Sequence, residues 1–339
     1  MPHVPSRSRR ITPTLRHVRR ALAAATTAAT VLAVAPLSLA AQNYVARADS
    51  LFQGGRVFAA ETLYYYAVRK APRDPSARLA LGRYLAARGA LRVGAVLMEE
   101  ARYFGGNPKE IGSYLAPVYA RLGDWKALVG MPGSPLSYAE RMRAEWLRDN
   151  APTVAGPDSG SVALAPDSGG FGAVTLVVGT DTLLATVDPR ARGLVLDTAW
   201  ARRNGVKVFM ATSDRDWRSY AGVTPVATMA PFTLANVPTQ FEAIGDPRRA
   251  RLGLELLAGL APTFDPRVRR LALRRAGRVG DGTPGAAVAT LTYPGGTWLV
   301  LRDGVWPITS VGARGALAGA RWTVDGRRGR ILIERYEGQ

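Results

Sequence analysis

The chain has 339 residues, 47% of them hydrophobic, with a formal charge of +19, two histidines and no cysteine; this is long enough for two or three domains with ordinary cores. Both histidines, His3 and His17, lie in the first twenty residues, so the rest of the chain excludes Ser-His-Asp and Cys-His catalysis, zinc sites built on His or Cys, and disulfides. Arginine far outnumbers lysine throughout and no dense basic run is interleaved with aromatics, so the charge reads as compositional bias and no nucleic-acid partner is expected.

Residues 1–40 combine six arginines, no acid, an Ala-rich apolar stretch from Ala21 and small residues at Ser38 and Ala40. This is the pattern of a signal peptide cleaved after Ala40, which predicts a periplasmic or secreted protein with no stable membrane span after cleavage. Removing the six arginines takes the charge from +19 to +13. An uncleaved anchor is the alternative, because about 20 apolar residues can span a bilayer.

Residues 41–150 repeat. Gly55, Gly89 and Gly123 are 34 residues apart, and in the same frame Ala48, Gly82 and Ala116 align, as do Leu51, Leu85 and Tyr119. Small residues let paired helices approach, and each glycine ends a first helix. With Ala60, Tyr64, Ala67 and Pro72 completing the first unit, the region resembles tetratricopeptide repeats. Pro132 and Pro135 cut short the second helix of the third unit. Ser137 and Glu140 then start one more helix with a capping box. The resemblance implies an interaction scaffold, and Tyr64, Tyr65, Tyr66 and Arg83 are candidates for a groove that grips a protein or peptide partner. Residues 151–170, with two Pro-Asp-Ser-Gly turns, read as a linker.

The second half, taken as a β domain over 171–278 with a β extension over 279–339, shortens to strand length. Leu183 to Asp188 is an apolar strand, Pro189 and Arg190 a turn, Leu194 to Leu196 a second strand, and Thr198 opens a helix that stops at Gly205. Together with Phe232 to Pro238, Leu252-Gly253-Leu254 and a hairpin over Thr263 to Leu273, this order resembles the retropepsin-like aspartic proteases. Between Val206 and Val226, where that family carries a flap, the sequence reads as polar loop. The implied fold class is all-α tetratricopeptide-like repeats followed by a mainly-β acid-protease domain.

The family's Asp-Thr-Gly is here Asp188-Pro189-Arg190. The resemblance makes Asp188 the candidate catalytic carboxylate, which in that family acts as a pair across a homodimer, here through the β domain. The departures argue against the reaction. Pro189 has neither hydroxyl nor N–H, and Arg190 puts a cation where two carboxylates would share one proton, which favours the ionised form. Asp265-Pro266-Arg267 and Asp325-Gly326-Arg327 have the same look, so the segment also reads as an ordinary strand-to-strand turn.

Three functions follow: an exported, catalytically impaired protein that binds peptide or protein; an active dimeric aspartic endopeptidase using Asp188; or a structural envelope or glycan-binding protein using Trp298, Trp306 and Trp322. In the extension, setting Leu291 against Leu176 places Asp303 on Asp188, as in a worn second half; an added sheet is the other reading. No cofactor and no metal site are expected.

Overall fold

The computed structural model describes residues 41–335 apart from 168–169, 205, 207, 210–218, 294–295, 302–303 and 318. The expected signal peptide, most of the flap position and Asp303 lie outside the described residues. The described chain is a helical region followed by a mainly-β region with a barrel. No described helix is long and apolar enough to cross a membrane.

The helical region pairs α1 (residues 41–53) with α2 (Val57–Lys70), α3 (Pro75–Ala87) with α4 (Leu91–Tyr103), and α5 (Pro108–Leu122) with the six-residue α6 (Trp125–Gly130), and ends with α7 (Tyr138–Asp149). Local chemistry sets the starts. Asp74 accepts from the Ala77 N–H at 3.0 Å with Pro75 in the first turn, Asn107 caps α5 ahead of Pro108, and Ser137 with Glu140 closes a capping box on α7. Gly55, Gly89 and Gly123 all have φ near +70° to +90°, the left-handed turn that only glycine adopts freely after a helix. At the aligned small position, a Cβ on Gly82 would come within 3.0 Å of the Gly94 carbonyl oxygen, so α3 and α4 touch backbone to backbone.

The barrel strands are β3 (Ala173–Val178), β4 (Asp181–Asp188), β5 (Leu194–Asp197), β7 (Ser219–Met229), β8 (Phe232–Glu242) and β9 (Arg249–Gly253), hydrogen-bonded in the order β8-β5-β9-β4-β3-β7; the β7–β8 hairpin closes the ring. β1 (Thr153–Ala155) and β6 (Val208–Phe209) add to its edges. Closure pairs most of the edge that a sheet of this size would otherwise leave open, and β1 and β6 pair with part of what remains. Two short helices, α8 (Thr198–Arg203) and α9 (Leu254–Ala258), follow β5 and β9. Asp197, 3% exposed, caps α8 and also accepts from the Ile244 and Gly245 N–H groups, so one buried carboxylate fastens three chain segments.

A second, open sheet has the order β14-β13-β12-β16-β15-β10-β11-β2. Its strands are β2 (Ser159–Ala163), β10 (Thr263–Asp265), β11 (Arg270–Arg274), β12 (Ala286–Tyr293), β13 (Gly296–Leu301), β14 (Gly304–Pro307), β15 (Arg321–Asp325) and β16 (Arg330–Glu334), with α10 (Val311–Leu317) between β14 and β15. The hairpin expected over 263–273 and the two expected in the extension are all present.

Two expectations are corrected. The stretch read as a linker carries β1, which joins the barrel sheet, and β2, which pairs with β11 across five residues. The polar stretch before Val226 is strand from Ser219, held by six pairs to β8 over residues 219–224; it lacks apolar alternation because residues 220–224 are buried in succession and not on one face only.

The barrel and the second sheet share one apolar core through Phe171, Phe264, Leu271 and Trp322. The helices join both. Leu147 and Ala144 of α7 share a cluster with Phe209, Ala221 and Val223 of the barrel. Leu81 and Tyr84 of α3, with Phe52 of α1, share another with Leu291, Tyr293 and Trp298 of the second sheet.

Candidate functional site

Asp188 ends β4, which runs parallel to β9 with Asp188 opposite Gly253 and Thr186 opposite Arg251. Gly253 has to be bare, since a Cβ there would lie 2.4 Å from the Ala191 carbonyl oxygen. Its N–H donates to Gly193 at 2.9 Å, so the turn after Asp188 folds onto the β9 backbone. Residues two apart on a strand share a face, and Arg251 therefore stands beside the carboxylate.

Both oxygens of Asp188 are engaged. Its Oδ2 accepts from Arg251 Nη1 at 3.0 Å, and its Oδ1 accepts from the Arg190 backbone N–H at 2.8 Å. The other terminal nitrogen of Arg251 binds Glu242 of β8. The Asp188 side chain is 15% exposed and that of Arg251 36%. Asp188 and Glu242 thus share one guanidinium, which lies between the two carboxylates.

Sequence reasoning named Arg190 as the disturbing cation. The binding guanidinium is that of Arg251, and Arg190 contributes its backbone N–H. Arg251 lies two residues before the glycine of the β9 motif, and only the parallel β4–β9 register brings it to Asp188. The β12–β13 turn also reaches the site, with Gly296 placed so that a Cβ would lie 3.3 Å from the Pro189 carbonyl oxygen.

The residues proposed for a groove on the repeats are separated. Tyr64 is buried and donates to Asp49 at 2.6 Å, with burial as the main cause holding its hydroxyl well above the usual tyrosine range. Tyr65 and Tyr66 are exposed. Arg83 lies over the Tyr114 ring at 4.1 Å. The face of α1 and α3 carries the chain's own second sheet, where Phe52 meets Tyr293 edge-on at 6.3 Å and Arg88 Nη1 donates to the carbonyls of Thr290 and Gly329 at 3.2 Å each.

The three tryptophans do not make one surface. Trp322 is buried and stacked on Phe264 at 3.9 Å, Trp298 packs on the repeats, and Trp306 is 39% exposed. Among the described residues no group of three His, Cys, Asp or Glu side chains could hold a metal ion.

No family model matches the chain, and no curated protein matches it. Among solved structures, it is similar to a retropepsin-like aspartic protease from Rickettsia conorii, at 16% identity over 36% of this chain and 92% of that one, with a TM-score of 0.27. It is similar to YrrB, described as a TPR protein with an unusual peptide-binding site, at 18% identity over 32% of this chain and 51% of that one, with a TM-score of 0.25. The retroviral protease-like domain of Ddi1 from Leishmania major aligns at 17% identity over 28% of this chain and 75% of that domain, with a TM-score of 0.20.

Proposed function

We propose that this is an exported, non-hydrolytic protein-binding module, in which a retropepsin-like barrel has exchanged its catalytic pair for an ion-pair network and a tetratricopeptide-like scaffold braces it. One observation carries the reading: both oxygens of Asp188 accept hydrogen bonds, and the donor on Oδ2, Arg251, also binds Glu242. A general base must give up its acceptors to a water, and a shared-proton pair must lie in direct contact. An arginine fixed between two carboxylates opposes both. The partner-facing surface in this reading is the outer side of α4, because the inner faces of α1 and α3 are committed to the second sheet. Val93, Val96 and Tyr103 are exposed there at 54%, 57% and 84%, beside an open groove of about 740 Å³ that includes Glu99, Glu100 and Arg102. Three exposed apolar side chains on one helix, two of them lining the groove, are the feature this choice rests on.

The test is incubation of the purified protein with a peptide library between pH 3 and pH 7. No cleavage is expected from the wild type at any pH. Cleavage that disappears in Asp188→Ala would establish the enzyme and overturn the proposal.

A further inference from the structure

Where α3 and α5 meet the barrel turn and β12, the molecule encloses a cavity of about 80 Å³ whose lining includes Arg83, Arg121, Arg192, Glu255, Tyr114 and Tyr293. Three cations thus face one carboxylate. Arg121 and Glu255 form a pair at 3.4 Å with side chains only 16% and 20% exposed, and Arg121 Nη1 donates to the Ala86 carbonyl at 3.4 Å. Arg192 has no carboxylate within ion-pair distance among the described residues, and Arg83 is satisfied by an aromatic face. Arg143 of α7, bonded to the Thr239 carbonyl, brings a further cation near Arg192.

Arg121 is the buried cation of the set, while Arg192 is exposed and keeps much of its hydration. Burial is the first cause that lowers Arg121 and Arg143 below the ordinary arginine value, and the positive field of Arg192 adds to it in both. The cavity has room for roughly two or three waters at about 30 Å³ each, which is also the size class of a small oxyanion. Guanidinium groups match carboxylate and phosphate oxygens in a two-point fork. Arg83 and Arg192 are the more exposed members and give the site a way in.

We infer that this cavity binds a small oxyanion, either a free phosphate-like ion or the terminal carboxylate of a chain, and that the bound anion fastens the repeats, the barrel turn and the second sheet together. The inference is independent of whether Asp188 is catalytic.

The experiment follows the thermal midpoint of the purified protein at pH 7 during titration with sodium phosphate against sodium chloride at matched ionic strength. Phosphate is expected to raise the midpoint saturably, by about 3 °C or more. Arg192→Gln should weaken the apparent affinity about tenfold or more while leaving the circular dichroism unchanged, and Arg248→Gln, an equal charge change at an exposed site on the barrel, should leave it as in the wild type. Glu255→Gln, which removes the competing carboxylate, should tighten it. A short peptide with a free C-terminus binding more tightly than both its amidated form and phosphate would identify a chain terminus as the ligand; phosphate binding with no difference between the peptides would identify a free ion. No saturable shift with phosphate or the free peptide, or equal responses from Arg192→Gln and Arg248→Gln, would overturn the inference.

Discussion

Asp188, Asp265 and Asp325 each begin a turn, and in each the carboxylate accepts from backbone just ahead: Asp188 from the Arg190 N–H at 2.8 Å, Asp265 from the Val268 N–H at 3.4 Å, and Asp325 from the Arg328 N–H at 3.2 Å. Asp188 and Asp325 also hand their second oxygen to an arginine, Arg251 at 3.0 Å and Arg330 at 3.1 Å. The likeness of the three turns was legible in the sequence, because an aspartate that folds back on its own backbone needs only neighbours. Arg251 was not, since its approach depends on which strand lies beside β4. Glu255 shows the same dependence on distant partners. Burial is the largest cause acting on its carboxyl and holds it above the ordinary value of 4.5 despite Arg121 and Arg192. A folded state that keeps this proton more tightly than the unfolded chain is favoured at low pH, and the benefit fades as pH rises from about 4.5 through the folded value. Urea unfolding of Glu255→Gln in chloride is therefore expected to lack that part of the decline seen in the wild type.

Helices whose starts are written locally were readable, and sheet partners were not. The 34-residue spacing of Gly55, Gly89 and Gly123 marks three left-handed turns, and the prolines after α6 hold it to six residues. β1 and β2 have mostly exposed Ser, Gly, Thr and Ala positions, so nothing in their own pattern distinguishes them from a linker; they are strands because β8 and β11 leave edges to be paired. Capping carries a direct test. Asp74, 8% exposed, accepts from the Ala77 N–H at the start of α3, and Asp74→Ala is expected to cost about 1 kcal/mol in urea unfolding.

Apolar clusters that cross from helices to barrel and from helices to second sheet make independent unfolding of the halves unfavourable. Leu291 of β12 is fully buried within the cluster that includes Leu81 and Tyr84. Leu291→Ala is expected to lower stability by about 3 kcal/mol, with helical ellipticity and tryptophan fluorescence still changing at the same urea concentration. Separate midpoints for the two signals would mean that the halves unfold independently. The docking is tight at another point: a Cβ on Gly329 would fall 1.9 Å from the Arg88 carbonyl oxygen, so the β15–β16 turn abuts the end of α3 without an intervening side chain.

The second sheet is assembled from residues 159–163, 263–274 and 286–334, and this sets an order on synthesis. Ribosomes deliver the helices first, yet β16, which lies between β12 and β15, is among the last strands to emerge. Until β12 and β13 follow, the apolar side of α1 and α3 has no cover, and β2 waits more than a hundred residues for β11. A nascent chain of this design exposes apolar helix faces of the kind that promote aggregation until those strands emerge.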